Sequence, residues 1–594
     1  MTHPRLLVLL VGALAFALAL PNPFLDFDDG RVILGQPFLQ DASLAGLWRC
    51  LSPFPFREEP LPLRDLTYWL NFTLHGPWAP GFVAINLLLH GATSLAVLSL
   101  GERVLARAEL PAASARAAAL AGALLFALHP IHAESVVWLS GRKDVLSGAL
   151  YLLAACSWLD YLAAEGAARR RSYLTTLALF VLSLGAKASV VSLPLVLCAA
   201  DLLLGPRRPL RERALAALPF VLLSAGFVKG YTWLLASYDQ TLGAGSSVVE
   251  RHPEPVWKAL LFTDAAVVEL YLRRLVLPLD QRVFTTEPYR LEASGPVLRA
   301  LLVCAAAWAG TLWLCRRRPA LGFLALWIPL TLAPFLNIVP TGILYAERYL
   351  YLPSVGLCLL AGVAAATLAR RLAGARAHLA LGLVLAALSL PASQRCSAWA
   401  RAFRGPGSLW SRVLARDPDN YIALANLAKH YAEPDGPEAR PRDAARAEQL
   451  YRRLLEVHPS PKAAYRFGLL LEELGRLDEA LEAFRRAAGP KPGWRRAILG
   501  AARVLARRSF AGGDPADAGE AGWITALRLH DYVLETWPEQ GAKAAMDRAR
   551  TLELAGQREP ARAAWRLYLE RYGSQPGEER AAAAAREALA RLGG

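Results

Sequence analysis

Apolar segments of about 20 residues recur through the first two thirds of the chain, and they constrain its fold more than any other feature. An α-helix needs about 20 apolar residues to cross the hydrocarbon core of a bilayer. Hydrophobic residues make up 55% of the 594 residues, which excludes an ordinary soluble protein of this length. The sequence therefore predicts an integral, multi-pass membrane protein.

These segments predict an all-α membrane domain with eleven spanning helices. A further apolar segment, residues 256–278, also carries charged residues such as Lys258 and Asp264, which predicts an amphipathic or re-entrant helix at the membrane surface. The first segment could be a signal peptide, but a polytopic chain favours a retained anchor. The predicted spans are residues 5–22, 81–100, 116–129, 144–163, 172–186, 188–204, 214–236, 297–314, 320–339, 348–369 and 376–392.

The distribution of arginine predicts the orientation of these helices. Lys- and Arg-rich loops remain in the cytoplasm, and this rule accounts for the net charge of +16 without a nucleic-acid partner. If residues 256–278 do not span, all the Arg-rich loops share the cytoplasmic side. The loop formed by residues 22–80 and the other charged motifs then lie on the extracytoplasmic side. The arginine clusters are Arg103/Arg107/Arg116, Arg169/Arg170/Arg171, Arg207/Arg208/Arg211/Arg213, Arg316/Arg317/Arg318 and Arg370/Arg371/Arg376.

Beyond residue 393 the chain changes to Ala, Arg, Glu and Leu with helical periodicity and without a spanning segment. Small residues where paired helices touch, an aromatic between them and a proline at the end are typical of tetratricopeptide repeats. We predict a membrane domain over residues 1–393 and a repeat solenoid of about four units over residues 394–594, capped by a helix near 578–592. The best match comprises Gly468, Leu471, Gly475, Ala480, Phe484, Ala487 and Pro492.

An acidic cluster follows the first predicted span in the sequence NPFLDFDDG, which contains Asp26, Asp28 and Asp29. Its position holds these carboxylates near the bilayer surface. A carboxylate there could deprotonate an acceptor hydroxyl during glycosyl transfer, while cations hold the departing phosphate. A solvated loop or a turn before Gly30 is the alternative interpretation.

The segment HPIHAE and the following GRKD place several polar side chains in one short connection: His129, His132, Glu134, Arg142 and Asp144. Two histidines and a glutamate could bind a divalent metal, but Pro130 breaks the helical register and a fourth ligand is not evident. We therefore expect substrate hydrogen bonding or loop structure here and predict no metal site. Asn86 and His90 are expected to share a helix face and bond to another helix.

Two more cations interrupt apolar sequence. Lys187 stands alone between two spans, where it either reaches the headgroups or pairs with a bound phosphate. Glu347 and Arg348, in the sequence AERY, place an ion pair at a membrane boundary, where unpaired charges are costly. We expect Glu347 to orient Arg348 through a charge-assisted pair.

The order of these motifs resembles a known family. NPF followed by a DD pair, PLRDLTYWLNFTLHG, NLLLH, HPIHAESV with GRKD, a lone Lys before VVSLPLVL, AERYLYLPSVG and finally tetratricopeptide repeats are similar to the transmembrane and tetratricopeptide-repeat O-mannosyltransferases and their bacterial relatives. The resemblance covers the whole chain. It implies a C-type glycosyltransferase fold in a membrane, here the bacterial inner membrane, with the active site and repeats on the extracytoplasmic face.

The resemblance also implies roles for individual residues. Asp28 or Asp29 would be the catalytic base, and Arg348 with Lys187 would contact the phosphate of a polyprenyl-phosphate sugar donor. The residues expected to bind or orient substrates are Glu347, His129, His132, Glu134, Arg142, Asp144 and Arg64. We therefore expect an inverting glycosyltransferase that uses a protein or glycan hydroxyl as acceptor. A non-enzymatic membrane scaffold for envelope assembly is the alternative, and donor turnover by the purified protein would separate the two.

Overall fold

The computed structural model of the protein describes residues 3–25, 27–52, 59–242, 253, 255–278, 281, 283–285, 287–337, 343–373, 376–433, 443–489, 494–510, 520–538, 541–575 and 577–593. The chain divides into two compact units, Met1–Pro418 and Asp419–Gly594. The described residues of both units form helices and turns but no β-strand. This confirms the predicted all-α fold class.

Eighteen helices lie in the described part of the first unit. The first ten are α1 His3–Leu14, α2 Pro37–Gln40, α3 Leu44–Leu51, α4 Pro62–His75, α5 Ala79–Leu105, α6 Ala112–Ala127, α7 Ala133–Val137, α8 Arg142–Ala163, α9 Gly166–Leu184 and α10 Leu193–Leu204. The others are α11 Leu210–Leu242, α12 Val256–Lys258, α13 Asp264–Val276, α14 Gly295–Arg317, α15 Pro319–Leu332, α16 Pro353–Ala373, α17 Ala377–Ala402 and α18 Pro406–Leu414.

Several helices of this unit are suited to a bilayer. Among the described residues, six are long and apolar enough to cross it, or up to seven if the bent pair formed by α6 and the segment Pro130–Val137 counts as one span. Each of the eleven predicted spans overlaps at least one helix, but three apolar helical segments are shorter. These are His3–Ala19, Ala188–Leu204 and Pro319–Phe335.

Residues 256–278 are not among the helices that could span. They form α12, a π-helical turn at Ala259–Thr263 and α13. One face of α13 is buried, because Val267, Tyr271 and Leu275 pack against a cluster that includes Leu344, Tyr345 and Leu350. The segment thus supports the AERY motif from one side.

Three helix breaks bring the polar segments together. A 3-10 turn at Pro130–His132 follows α6, another at Ala188–Ser192 precedes α10, and a third at Ala333–Phe335 follows α15. AERY itself enters a 3-10 turn, Glu347–Leu350, before α16. The turn at Pro130–His132 contacts the AERY turn, and the turn at Ala188–Ser192 contacts the turn at Ala333–Phe335. Backbone groups released at a break within a bilayer must find partners inside the protein.

Glycines allow close packing of α5, α6 and α16. A Cβ atom on Gly122 would lie 2.8 Å from Cα of Leu359, and one on Gly101 would lie 2.7 Å from the Leu359 side chain. A Cβ atom on Gly362 would meet the carbonyl oxygen of Ala118 and lie 2.6 Å from the backbone nitrogen of Gly122. Small residues at helix contacts are a common packing device in membranes.

The second unit consists of paired helices. They are α19 Tyr421–Ala432, α20 Ala444–Val457, α21 Pro461–Glu473, α22 Leu477–Ala488, α23 Arg495–Ser509, α24 Glu520–Thr536, α25 Ala542–Leu554, α26 Arg558–Tyr572 and α27 Glu579–Arg591. Consecutive helices pack on each other, and α21 also contacts α23. This arrangement is that of a tetratricopeptide-like solenoid.

The predicted repeat signature has a direct packing explanation. The Phe484 ring packs directly against Gly468 and Gly500. A Cβ atom would lie 2.9 Å from this ring if added to Gly468 and 2.6 Å from it if added to Gly500. Neither position has room for a side chain beside this aromatic. Gly475 has φ of 75°, a left-handed conformation that favours glycine between α21 and α22. Pro492, the last residue of the signature, lies outside the described residues.

The glycine contact predicts a difference between two single substitutions. Gly362→Ala should destabilise the protein by about 1–3 kcal/mol, because the new methyl group overlaps backbone atoms of α6. The matched control is Gly310→Ala in α14, where a Cβ atom meets nothing within 4 Å. Thermal unfolding of the purified protein in detergent should show a lower midpoint for the first variant alone. Equal midpoints would contradict the proposed packing.

Candidate functional site

The connection between α6 and α8 is the structural centre of the site. His129 caps it, since its Nδ1 accepts a hydrogen bond from the Ile131 backbone nitrogen at 3.3 Å, and Pro130 begins the 3-10 turn. α7 and a second 3-10 turn, Leu139–Gly141, follow before α8. Because proline cannot continue a helix, this segment presents side chains in several directions.

Arg348 forms a buried ion pair with Glu134. One Glu134 oxygen contacts the guanidinium group, and the other accepts a hydrogen bond from the Arg348 backbone nitrogen at 3.0 Å. Burial lowers the pKa of Arg348, but Glu134 and Tyr349 outweigh this effect and hold it above its usual value. The carboxylate that orients Arg348 is thus Glu134, whereas the sequence-based prediction assigned this role to Glu347. Glu347 is itself buried in the AERY turn.

Lys187 forms a second buried ion pair, with Asp144 at the start of α8. The ammonium group also lies 4.9 Å from the ring centre of Phe335 and 5.8 Å from that of Tyr349. These two rings stack at 4.1 Å. Burial lowers the pKa of Lys187, although Asp144 raises it. The structure thus places Lys187 in a buried environment with a carboxylate partner. Its two sequence-based interpretations, contact with the headgroups and pairing with a bound phosphate, stay predictions.

Both cations line one pocket. Asp144 lies in its wall, and its Oδ2 atom is buried without a hydrogen-bond partner among the described residues. Hydroxyl groups and aromatic rings complete the lining. The lining residues are Asp144, Ser147, Lys187, Ser189, Phe335, Arg348, Tyr349, Tyr351 and Leu352.

The two aspartates of the acidic loop have different environments. Asp29 is buried, and it accepts hydrogen bonds from the Ser140 backbone nitrogen at 3.0 Å, from the Ser140 hydroxyl at 2.5 Å and from the Leu25 nitrogen at 3.0 Å. Burial raises the pKa of Asp29 to about 6, although these hydrogen bonds lower it. Asp28 is partly exposed and pairs with Arg31 at 2.9 Å. Asp26 lies outside the described residues.

Trp138 connects the acidic loop to Arg348. Its ring lies 5.8 Å from that of Phe27, which directly precedes the two aspartates. The Arg348 guanidinium lies 5.8 Å from the Trp138 ring centre on the other side of this connection. Together with the bonds between Asp29 and Ser140, this contact places the acidic loop beside the segment that holds Arg348 and Lys187.

Arg142 joins helices instead of facing the pocket. It is buried and donates hydrogen bonds to Asn86 Oδ1 at 2.9 Å and to Asn71 Oδ1 at 2.5 Å, as well as to two backbone carbonyls. Arg64 is also buried and pairs with Asp65 and Glu59 at 2.8 Å. Glu59 additionally binds Lys143. Arg142 thus joins α4, α5 and α8, and Arg64 connects α4 to α8 through Glu59 and Lys143.

The histidines bond to neighbouring segments. His129 Nε2 lies 3.2 Å from the Leu275 carbonyl, and His132 Nε2 lies 2.9 Å from the Ser354 hydroxyl. Asn86 donates to the Val136 and Trp138 carbonyls, and His90 bonds to Tyr351 and the Ala127 carbonyl, which confirms the predicted helix–helix role of these two residues. In the part of the chain described, no group of three or more His, Cys, Asp or Glu side chains could hold a metal ion.

Several site residues lacked a recognisable signal in the sequence. Ser140 and Trp138 stand between the two polar motifs, but nothing in their spacing indicates contact with a loop about 110 positions earlier. Phe335 and Ser189 lie in apolar sequence and reach the pocket because of helix breaks. A proline after an apolar helix was the available signal for such breaks.

No protein-family model matches the chain. It is 34% identical over 171 residues to protein O-mannosyl-transferase TMTC4 of Mus musculus, covering 26% of this chain and 22% of that protein. It is 29% identical over 262 residues to protein O-mannosyl-transferase Tmtc2 of Drosophila melanogaster, covering 41% and 27%. It is 26% identical over 418 residues to Tmtc3 of the same species, covering 58% and 44%.

The predicted family resemblance is confirmed. The matches span 22% to 44% of the length of these relatives. The similarity to Tmtc3 extends over more than half of this chain, and all three relatives are named protein O-mannosyl-transferases.

The Arg348 pair predicts a large stability effect from one isosteric change. Glu134→Gln leaves a buried guanidinium without its counter-charge, which typically costs about 3–5 kcal/mol. Glu269→Gln is the control, since its partner Arg299 is largely exposed and such pairs contribute about 1 kcal/mol or less. Thermal unfolding in detergent should separate the two variants. A Glu134→Gln protein as stable as the control would contradict this view of the ion pair.

Proposed function

We propose that the membrane unit is an inverting C-type glycosyltransferase. It transfers a sugar from a polyprenyl-phosphate carrier to a hydroxyl group of a protein or glycan, and mannose is the first candidate because of the names of the relatives. The observation that carries the proposal is the convergence of Lys187 and Arg348, 161 positions apart, on one pocket with aromatic walls. Two cations fixed by protein carboxylates are suited to stabilise a phosphate leaving group.

Each residue of the site has a role in the proposed reaction. The acceptor hydroxyl loses its proton to Asp28 while its oxygen attacks the anomeric carbon from the face opposite the phosphate. The bond between that carbon and the phosphate oxygen breaks, and its electron pair leaves with the phosphate, which Lys187 and Arg348 hold. Asp28 is preferred to Asp29 as base because it keeps exposed surface, whereas Asp29 is occupied by Ser140 and Leu25.

Asp29 has a positioning role in this proposal. Its hydrogen bonds with Ser140 fix the acidic loop against the connection that carries Glu134 and leads into α8, where Asp144 lies. The contact between Phe27 and Trp138 reinforces the same arrangement. In this proposal its neighbours on both sides, Phe27 and Asp29, hold Asp28 beside the connection that carries Glu134.

The placement of arginine supports an extracytoplasmic site. α5 begins near Arg142 and ends with Arg103, and α16 begins after AERY and ends with Arg370 and Arg371. The first turn of α8 contains the site residue Asp144, and Arg169 follows the opposite end of this helix. Because Arg-rich ends remain in the cytoplasm, the opposite ends carry the site. The tetratricopeptide unit would bind the acceptor or a partner on that face.

Donor turnover tests the function directly. Purified protein in detergent is incubated with polyprenyl-phosphate sugars, mannose first, and release of polyprenyl phosphate is measured. Arg348→Ala should lower kcat about 100-fold or more, because one charge-stabilising group is lost. Arg348→Lys should recover part of the rate, because it restores the charge without the planar fork. Arg318→Ala, an exposed arginine paired with Glu109, is the control. Absence of turnover with every donor would favour the scaffold alternative.

Separate substitutions distinguish the two aspartates. Asp28→Asn should lower kcat about 100-fold or more and leave the unfolding temperature near that of the wild type, since Asp28 is partly exposed. Asp29→Asn should lower the unfolding temperature, because an amide cannot accept all three hydrogen bonds from Ser140 and Leu25. The assignment fails if Asp28→Asn turns over normally.

A further inference from the structure

The four charges around the pocket cancel in the ligand-free protein. Lys187 neutralises Asp144, and Arg348 neutralises Glu134. The side chains of the two pairs are 13% and 1% exposed, and 11% and 0% exposed, so water screens neither pair well. Near Asp144, Lys143 is likewise balanced, because Glu59 accepts two hydrogen bonds from it. The two ion pairs that line the pocket thus contribute no net charge before a ligand arrives.

A phosphodiester carrier would bring one negative charge into this neutral pocket. An uncompensated charge in a buried site is strongly unfavourable. Each cation can bind the phosphate, but its single positive charge is then shared between a carboxylate and the phosphate. If a proton neutralised one of the two carboxylates, the positive and negative charges in the pocket would again be equal.

The two carboxylates differ in their ability to accept that proton. Both oxygens of Glu134 accept hydrogen bonds from Arg348, whereas Oδ2 of Asp144 has no partner among the described residues. Lys187 can also turn from Asp144 to a ligand more easily than an arginine fork, because its ammonium group ends a flexible chain. The other titratable or charged groups around Asp144 are Lys143 on its own helix, and Arg348, Tyr349 and Tyr351 across the pocket.

We propose that binding of the phosphate carrier is coupled to the uptake of one proton by Asp144. The Lys187 ammonium moves from Asp144 to a phosphate oxygen, and a solvent proton binds the Asp144 carboxylate and converts it to a carboxylic acid. The pocket then gains one negative charge from the ligand and one positive charge from the proton. This inference rests on the proposed function and adds a catalytic role for Asp144.

The same proton would assist the transfer step. When the carbon–oxygen bond breaks, the phosphodiester becomes a phosphate monoester and gains a second negative charge. Monoesters have a second pKa of about 6, so this charge persists at neutral pH. The protonated Asp144 can donate a hydrogen bond to the departing oxygen, whereas an ionised Asp144 would repel it. Asp144 would then release its proton when the carrier leaves.

The coupling is tested by binding of citronellyl mannosyl phosphate, a short isoprenoid phosphodiester without a titration near neutral pH. Isothermal titration calorimetry of the wild-type protein in two buffers with different ionisation enthalpies gives the number of protons taken up. The expected value is about one, and affinity should fall up to tenfold per pH unit. Asp144→Asn should bind with proton uptake near zero. Asp160→Asn, at the opposite end of α8 and paired with Arg103, should behave like the wild type.

Each outcome has a definite meaning. Binding by the wild type without proton uptake overturns the coupling and leaves the proposed function intact. Uptake that persists in Asp144→Asn assigns the proton to another group and also overturns the inference. Absence of binding by the wild type contradicts the proposed function itself. The wild-type calorimetry decides the coupling even if the Asp144→Asn protein fails to fold.

Discussion

Two buried ion pairs, Glu134 with Arg348 and Asp144 with Lys187, hold the membrane unit together where its helices break. Glu134 lies in the connection between α6 and α8 and Asp144 in the first turn of α8, so each pair joins this region to a distant segment of chain. In a bilayer such charges persist only when paired, because removal of one partner leaves a buried charge. The pairs therefore fix the AERY turn and the turn before α10 in positions that apolar packing alone would not specify.

The same pairs equip the pocket for the proposed chemistry. A cation that is already desolvated and oriented can meet a ligand charge without first losing its water shell. The aromatic stack of Phe335 and Tyr349 limits the space around Lys187, and the contact of Trp138 with Phe27 holds the acidic loop nearby. Structural stability and the proposed chemistry thus depend on the same side chains.

The features that the sequence predicts correctly are those that one physical rule governs. Apolar length predicted the helices, and charges within apolar sequence identified Arg348 and Lys187, which share a pocket. The adjacent Glu347 is the carboxylate that the sequence suggests for Arg348, and that role stays a prediction. The carboxylate that binds Arg348 comes from Glu134, 214 positions away, and no periodicity links the two. The short helices α10 and α15 likewise depend on turns that apolar composition does not reveal.

Hydrophobic burial and repeat packing act through local patterns, so the residues alone indicate the helical membrane fold, the tetratricopeptide-like unit and the set of charged residues. Which charges meet depends on how distant segments pack. The tertiary structure pairs Asp144 with Lys187, binds Asp29 to Ser140 and places Arg142 and Arg64 among helix contacts. The physical reason is that ion pairs and hydrogen bonds depend on distances of about 3 Å between segments remote in sequence.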